Sequence, residues 1–219
     1  TTDEYREWLE ELKKQKIPVE VARAGMEIKI PNLKRQIPNK SQITNPKLEI
    51  LYPSEDFSGR RVTQGKIGEG GGLNDTSIVA KLTFGQTSFL LMGDATSVVE
   101  EELIDKYNAN QRISCQSTNT NSQLADFPPE ADSPQEENVS NAHSREILRC
   151  AQNDTLQSDV LKVGHHGSKY STSRQFLKAV QPQYAVIQVG ENRYGHPAYA
   201  TLWRLKQAGV QVIRNDLDG

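Results

Sequence analysis

Three stretches of the chain place carboxylate or imidazole side chains directly after an apolar run. Asp94 follows the run in "FLLMGDAT", and His165 and His166 follow the run in "VLKVGHHGS". His196 lies in "NRYGHP", shortly after the apolar residues 184–189. At neutral pH a carboxylate and an imidazole both offer lone pairs, and together they suit a divalent metal ion. The pattern therefore favours a metal site where strands end at one edge of a sheet.

Each of these residues also has a simpler interpretation. Asp94 precedes "ATSVVEEEL", where an aspartate would cap the start of a helix. Adjacent side chains in a strand point to opposite faces, so we expect only one of His165 and His166 to bind a given metal. The other would either orient a metal ligand or face the substrate, and a purely structural pair, with one ring in the core and one in solvent, stays open. His196 would equally serve as a turn residue that caps a helix.

The periodicity of the chain predicts the elements that carry these residues. We expect a helix over Thr1–Lys16, two short strands around Gly25, a strand in "KLEILYPS", a hairpin turning at Gly85 and Gln86, and a helix over Ala95–Tyr107. After Asp159 we expect strand, helix, strand, helix and strand over residues 160–163, 173–180, 184–189, 198–208 and 210–214. Alternating strands and helices predict an α/β architecture with reactive loops at strand ends.

Residues 109–157 interrupt this pattern. The segment is rich in Asn, Ser, Gln and Pro and has no sustained period, so we expect an inserted, disordered segment. It separates residues 1–108 from residues 158–219, which together form one domain. We do not expect His143, which lies in the segment, to bind metal. The two cysteines, Cys115 and Cys150, have neither metal-site nor redox spacing.

The overall composition is that of one globular domain without a strong field of its own. A chain of 219 residues, 35% of them hydrophobic, is long enough to bury a core. The formal net charge of -2 gives no global attraction for nucleic acid, so a polyanionic substrate would need a local site. No apolar run approaches the roughly 18–20 residues of a membrane span. The chain begins at Thr1, and we expect that an upstream segment precedes it.

Four stretches in consecutive order resemble one known family. They are "NDTSIVAKLTFGQTSFLLMGDA", "SDVLKVGHHGSKYSTSRQFL", "QPQYAVIQVGENRYGHP" and "GVQVIRNDLDG". They are similar to the C-terminal metallo-β-lactamase-fold domain of ComEC-type DNA-internalisation competence proteins and their stand-alone relatives. The resemblance implies an αββα sandwich, in which two sheets pack face to face with helices outside. It also implies a hydrolase site at one edge that holds two divalent ions, zinc or manganese.

The resemblance assigns a metal-binding role to two of the strand-end motifs. Asp94 would be the carboxylate that bridges the two metals. The His165–His166 pair would supply the late histidine ligand, and His166 is favoured because its "HGS" resembles the His-small-Ser of related nucleases. His196 would be the catalytic residue on the substrate side, where it stabilises charge or donates a proton to the leaving oxygen.

A second group of residues is expected to contact the substrate. By the resemblance, Asn192 lines the substrate side together with His196. From their chemistry alone, Ser168 and Lys169 are expected to contact phosphate, together with the hydroxyls of Ser171 and Thr172. Asn74 stands where many relatives of the wider fold carry a ligand histidine, and we expect it to orient a water or a phosphate.

The chain departs from the family at its defining motif, His-x-His-x-Asp-His, which does not occur. We therefore expect that the N-terminal half of the domain is missing and that this part alone binds metal weakly or not at all, since each hydrolytic metal needs about three to four protein donors. The remaining sheet would expose an apolar face. The C-terminus is likewise expected to stop one strand short of the family pattern.

These features lead to one expected function and two alternatives. The expectation is a fragment of a metal-dependent hydrolase, a phosphodiesterase or nuclease linked to DNA uptake, with DNA as its substrate. The alternatives are a non-catalytic remnant that binds or scaffolds, and a hydrolase of small esters or phosphoesters built on the same fold. A membrane-attached or extracytoplasmic location would follow from the resemblance, with the attachment outside this chain.

Overall fold

The computed structural model of the protein describes residues 3–30, 46–57, 72–117 and 156–218, with only the backbone for residues 109–117. In chain order the elements are α1 (Asp3–Lys14), β1 (Glu27–Lys29), β2 (Lys47–Tyr52), β3 (Val79–Phe84), β4 (Thr87–Leu91), α2 (Ser97–Ser117), β5 (Val160–Lys162), α3 (Arg174–Val180), β6 (Tyr184–Ile187), α4 (Tyr199–Gln207) and β7 (Gln211–Arg214). None of the described helices is long and apolar enough to cross a bilayer.

The seven strands form one mixed sheet in which every strand lies beside its neighbour in sequence. Strands β1 to β4 are antiparallel to one another, and β4 to β7 are parallel. The expected hairpin turns at Gly85, whose φ of +63° lies in the left-handed region that suits glycine. Parallel strands joined through helices confirm the predicted α/β class.

The parallel half of the sheet brings three loops to one edge. Leu91, at the end of β4, pairs with Lys162 at the end of β5, and Lys162 pairs with Val186 in β6. Because these strands run in the same direction, the loops after them leave the sheet on the same side. Those loops contain the histidines and the aspartate that the sequence singles out.

Three helices pack against one face of the sheet and form the core. Leu90, Leu161 and Ala185 lie side by side on β4, β5 and β6, and each is fully buried. The helices contribute buried apolar side chains to the same cluster, among them Val99 and Leu103 of α2, Phe176 and Val180 of α3, and Leu205 of α4. Each such side chain stabilises the fold by about 1.5–3 kcal/mol.

The opposite face of the sheet is apolar but only partly covered. Its paired positions include Phe89 with Val160 and Val186 with Ile213. Ile213 remains 39% exposed and Leu91 37% exposed, while the others are half-buried. An exposed apolar face is what the sequence predicts for one sheet of a sandwich. A second sheet is not found among the described residues, and the sandwich itself stays a prediction.

Two local predictions were wrong. Only Glu27–Lys29 forms a strand near Gly25, because residues 17–23 are mostly exposed and pair with no described strand. The segment is attached through the next residue, Ala24, whose N–H donates to the carbonyl oxygen of Pro53 (2.8 Å). Helix α2 also continues to Ser117, ten residues past its predicted end. The rest of the predicted insertion, residues 118–155 with His143 and Cys150, lies outside the described residues.

Candidate functional site

Asp94 lies in the turn between β4 and α2, and it does not cap the helix. Its own N–H donates to Ser77 Oγ at 3.1 Å, which fixes the turn against the segment before β3. At the start of α2 the hydroxyl of Thr96 accepts a hydrogen bond from the N–H of Val98 (3.4 Å), as a capping side chain does. The Asp94 carboxylate is thus left at the sheet edge, where it faces His166.

The His-His pair lies in a short 3-10 turn, Gly164–Gly167, rather than in a strand. His165 and His166 have φ values of +45° and +52°, so the expectation that they point to opposite faces of a strand was wrong. Left-handed geometry at a non-glycine residue costs of order 1–3 kcal/mol and often accompanies functional sites. The ring centroids lie 6.3 Å apart, and both rings are at the same edge of the sheet.

His166 is held between a backbone carbonyl and the Asp94 carboxylate. Its Nδ1 lies 2.6 Å from the carbonyl oxygen of Gln188, and its Nε2 lies 3.5 Å from Asp94 Oδ1. A carbonyl oxygen only accepts, so Nδ1 must carry the proton. In the neutral ring the lone pair is then on Nε2, directed at the carboxylate. Metal-binding histidines are commonly oriented by such a bond from the other ring nitrogen.

His165 lies between Asn74 and His196. The Asn74 amide nitrogen is 3.3 Å from Nδ1 of His165, and the centroid of the His196 ring is 5.4 Å from that of His165. Burial lowers the pKa of His165; the Asp94 carboxylate opposes this effect, and the nearby His166 and Lys162 reinforce it. At neutral pH the ring is therefore uncharged and able to offer a lone pair.

His196 carries a polar atom that lacks a partner. Its Nδ1 is buried and makes no hydrogen bond with any described residue. Burial lowers the pKa of His196, and the neighbouring His165 and His166 lower it further. Tyr194, which is 84% exposed, stacks on the ring with a centroid separation of 6.1 Å. A buried unpaired nitrogen is typical of a position that water or a ligand completes.

The Asn192 side chain forms hydrogen bonds within the loop that holds His196. Its Nδ2 donates to the carbonyl oxygens of Gly190 and His196, both at 2.9 Å. Its Oδ1 accepts from the N–H groups of Tyr194 (3.1 Å) and His196 (3.0 Å). The amide is therefore fully used within the loop. The predicted place of Asn192 on the substrate side stays a prediction.

The hydroxyl-rich loop after the His-His turn is largely buried. Ser168, Ser171 and Thr172 are each 1–2% exposed. The Ser171 hydroxyl donates to the carbonyl oxygens of Gly164 (2.9 Å) and Ser168 (3.1 Å). The Ser168 hydroxyl also accepts from the N–H of Tyr170 (3.3 Å), so both serine hydroxyls brace the loop. The predicted phosphate contact of these residues stays a prediction. Lys169 is exposed, and its Nζ lies 4.9 Å from the ring centroid of Tyr170.

This loop is clamped by Glu100 of α2 and Arg204 of α4, neither of which the sequence singled out. The buried Glu100 carboxylate accepts hydrogen bonds from the N–H groups of Thr172 and Ser173, the latter at 2.8 Å. Burial raises the pKa of Glu100, and these backbone donors oppose the rise. From the other side, Arg204 donates to the carbonyl oxygens of Thr172 and Ser171, each at 2.8 Å. The clamp fixes the turn that carries both histidines.

Lys162 is another residue of the site that the sequence analysis missed. Its Nζ donates to the carbonyl oxygen of Gly93 at 2.6 Å, and the N–H of His165 donates to the same oxygen at 3.2 Å. Burial lowers the pKa of Lys162, while Asp94 opposes that effect. A lysine in the middle of an apolar strand was the available signal, because such a residue is rarely half-buried without a partner.

Asp75 braces the site from the segment before β3, and its role was also missed. Its carboxylate accepts from the hydroxyl of Thr96 (2.5 Å) and from the N–H of Gly72 (3.3 Å). Its carbonyl oxygen accepts from the hydroxyl of Tyr52 (2.8 Å). These bonds fix the short 3-10 turn Leu73–Thr76, which presents Asn74 to His165.

The spacing of His166 and Asp94 suits two ligands of one divalent metal ion. Two ligands about 2.0–2.1 Å from one tetrahedral zinc lie roughly 3.3 Å from each other, close to the spacing of His166 Nε2 and Asp94 Oδ1. Among the described residues, no group of three or more His, Cys, Asp or Glu side chains has metal-site geometry. The pair thus fits as two members of a larger ligand set.

Comparison with known proteins relates the chain to bacterial competence proteins. It is 30% identical over 147 residues to Competence protein ComA of Neisseria gonorrhoeae, covering 67% of this chain and 15% of that protein. It is 46% identical over 65 residues to ComE operon protein 3 of Bacillus subtilis strain 168, covering 29% of this chain and 8% of that protein. No family model matches the chain.

A third relative extends the comparison. Recombination protein 2 of Haemophilus influenzae is 50% identical over 62 residues, which cover 28% of this chain and 8% of that protein. The chain therefore spans only a small part of the length of each of these relatives. The predicted kinship with competence proteins is confirmed, and the metallo-β-lactamase fold remains a prediction.

Proposed function

We propose that this chain, as a relative of bacterial competence proteins, supplies part of a metal-dependent phosphodiesterase site that acts on DNA during DNA uptake. The observation that carries the proposal is the pairing of His166 Nε2 with Asp94 Oδ1 at 3.5 Å, with His166 Nδ1 bound to the carbonyl of Gln188. Asp94 and His166 are the metal ligands of this site, and His165 lies beside them.

The pairing has a direct electrostatic reason. Two lone pairs that face each other repel unless a cation or a proton lies between them. The carbonyl of Gln188 keeps the proton of neutral His166 on the far nitrogen, so the space facing Asp94 suits a cation. A divalent ion bound there would convert the repulsion into two coordinate bonds.

The sheet supports a metallo-β-lactamase-type sandwich as the larger fold. Helices α2, α3 and α4 cover one face, and the other face presents half-exposed apolar side chains such as Phe89 and Val186. In an αββα sandwich that second face packs against another sheet. The helix-covered and apolar faces are those expected of one half of the sandwich.

The residues of this chain have separate roles around the phosphate. A bound divalent cation supplies Lewis-acid stabilisation of the charge that develops on phosphate oxygens. His196, uncharged at neutral pH, is suited to accept a proton or to donate a hydrogen bond at the substrate. Asn74 holds His165, and the exposed Lys169 offers a cation to a flanking phosphate.

Metal binding tests the proposal directly. We expect Mn²⁺ or Zn²⁺ titrated calorimetrically into the 219-residue protein to bind weakly, because this chain supplies only part of the ligand set, and we expect Asp94→Asn or His166→Gln to weaken the affinity by at least about tenfold each. If both residues bind one ion, the double variant should lose little beyond either single variant, because the second change removes a ligand from a site that is already broken.

The matched control is Asp105→Asn, the same chemical change at an exposed position of α2. It should bind metal like the unaltered protein. Equal affinities for Asp94→Asn, His166→Gln and the control would refute the proposed ligands. Metal-dependent cleavage of a single-stranded oligonucleotide in preference to small carboxylic esters would support phosphodiesterase chemistry, and the reverse preference would favour a small-ester hydrolase.

A further inference from the structure

Positive charge is concentrated in one continuous part of the chain. Residues 168–210 contain six Lys and Arg side chains and one acidic side chain, a formal charge of +5. Since the whole chain carries -2, the remaining residues carry -7. The near-neutral total therefore conceals a strongly basic segment, and this segment contains α3 and α4.

Several of these basic side chains line a groove between helices α3 and α4. Its main cavity has a volume of about 630 Å³ and is lined by the basic side chains Arg174, Lys178 and Arg204 together with Trp203. None of the described residues that line the cavity is acidic. Cations lining a concave surface reinforce one another's field, so this α3–α4 groove attracts polyanions despite the net charge of the chain.

The groove also has exposed aromatic rings. Tyr199 is 81% exposed and Trp203 is 38% exposed. The Arg174 guanidinium carbon lies 4.8 Å from the Trp203 ring centroid, so a cation and an aromatic face are stacked at its centre. Aromatic faces beside a basic channel are typical of surfaces that bind single-stranded nucleic acid, because every base can stack on them.

The groove leads towards the candidate site. A second cavity of about 390 Å³ shares Arg174, Trp203 and Arg204 with the first and adds Tyr199. Tyr199 begins α4 just after the loop that carries His196. The N–H of Ala198 donates to the carbonyl oxygen of Gly167, next to the His-His turn. The groove and the site thus share one end of α4.

We propose that the α3–α4 groove binds single-stranded nucleic acid and directs it towards the site of Asp94 and His166. The link of this groove to hydrolysis rests on the proposed function. The assignment of the groove as a binding surface rests on its charge and shape. The occupant is a polynucleotide rather than an anionic membrane because the basic and aromatic side chains line a concave groove. A bilayer surface would instead favour a flat or convex face with its aromatic rings projecting outward.

Binding of a labelled strand tests the inference. The probe is fluorescein-labelled oligo(dT) of about 20 nucleotides, longer than the roughly 4–16 nucleotides covered by one single-strand-binding fold. The titration is followed by fluorescence anisotropy in EDTA, so that metal plays no part. We expect Arg174→Gln/Lys178→Gln to raise the Kd roughly tenfold at low salt and to reduce the slope of log K against log salt by about 1.4, at about 0.7 for each phosphate contact.

The matched control is Lys13→Gln/Lys14→Gln, which removes the same charge from exposed positions of α1. It should retain the affinity and salt slope of the unaltered protein to within about twofold. As a second variant, Tyr199→Ala should raise the Kd by roughly fivefold or more with little change in slope, since it removes a stacking ring and no charge. All variants alter exposed residues, and circular dichroism checks that each is folded.

Two results would overturn the inference. One is equal affinity and slope for the groove variant and the α1 control. The other is binding of the unaltered protein to phosphatidylserine vesicles without binding to oligo(dT), which would identify the groove as a lipid surface. If the groove variant weakens oligo(dT) binding while Asp94→Asn leaves the metal affinity unchanged, the proposed metal site is refuted and this inference stands. If Asp94→Asn weakens metal binding while the groove variant binds oligo(dT) like the unaltered protein, the metal site is supported and the groove inference is refuted.

Discussion

The backbone N–H of Ala198 lies 2.8 Å from the carbonyl oxygen of Gly167 and donates a hydrogen bond to it. This bond joins the His-His turn to the loop of His196, and it forms only because the two backbones approach very closely. A Cβ added at Gly167 would lie 2.7 Å from the Cβ of Pro197. The contact between the two histidine loops therefore depends on glycine at this position.

We expect Gly167→Ala to destabilise the protein more than Gly195→Ala does. Both glycines have positive φ, +80° and +71°, so each substitution costs about 1–2 kcal/mol for backbone strain. At Gly195 the added Cβ meets nothing within 4 Å. At Gly167 it meets Pro197, which adds about 1–3 kcal/mol for overpacking.

Urea unfolding of the two alanine variants measures the difference. Since backbone strain is common to both, their difference in the free energy of unfolding isolates the steric contact. Equal stabilities would mean that the two histidine loops separate without cost, and the site would then be looser than described.

Loss of the Glu100 carboxylate should release the loop behind the His-His turn. In Glu100→Ala the N–H groups of Thr172 and Ser173 lose their acceptor, at about 1–3 kcal/mol for each unsatisfied donor. We therefore expect the free energy of unfolding to fall by about 2–6 kcal/mol. Glu101→Ala, the same change at the next and exposed position of α2, should alter it by less than about 0.5 kcal/mol. Comparable losses in both variants would contradict the clamp.

Acidification should destabilise the fold through His196. Burial, with the nearby His165 and His166, lowers the pKa of His196 below its ordinary value of 6.5. Between the lowered folded-state pKa and 6.5, the unfolded chain binds more protons than the folded one, so stability falls as the pH falls through that window. Above about pH 7.5 neither state is protonated and the effect disappears.

The measurement is the free energy of unfolding from pH 8 down to the acid range, roughly spanning the histidine titration, for the unaltered protein and for His196→Asn. The variant should lose less stability on acidification because it lacks the group that titrates. A nuclear magnetic resonance titration of the imidazole would check the direction independently. A midpoint for His196 above the ordinary histidine value would refute the expectation.

The loop of His196 should depend on the oxygen end of the Asn192 amide. Asn192→Asp keeps an oxygen that accepts from the N–H groups of Tyr194 and His196, whereas Asn192→Ala removes it. At about 1 kcal/mol for each hydrogen bond, we expect amide hydrogen exchange at Tyr194 and His196 to be roughly fivefold faster in the alanine variant than in the aspartate variant. Indistinguishable exchange rates would mean that the loop is held by other contacts.

Much of the fold was predictable from sequence because its signals are local. The hairpin at Gly85 and the alternation of strands and helices after Asp159 follow from turn residues and hydrophobic period. The exceptions had weak or misleading signals. Residues 17–23 are apolar enough for a strand but have no described strand beside them, and the polar end of α2 lacks an apolar stripe that would mark it as helical.

The site was predictable in its main residues and unpredictable in its supports. Asp94 and His166 could be inferred to meet because both follow parallel strands, and the edge of the sheet brings them together. The left-handed conformation of the two histidines had only a weak signal in residue type, since non-glycine residues uncommonly adopt a positive φ, although histidine does so more often than most. The carbonyl of Gln188 and the carboxylate of Glu100 act through the backbone of distant loops, a relationship that only the tertiary structure contains.

The direction of β5 places the connection between α2 and β5 far from the candidate site. Helix α2 starts at the Asp94 turn and runs away from it. Strand β5 is parallel to β4 and runs back towards the histidines. The described residues on either side of the connection, Ser117 and Leu156, therefore lie away from the site. Leu156 is 3% exposed and anchors the returning strand in the core. A change in the length of this connection would therefore leave the Asp94 and His166 side chains in place.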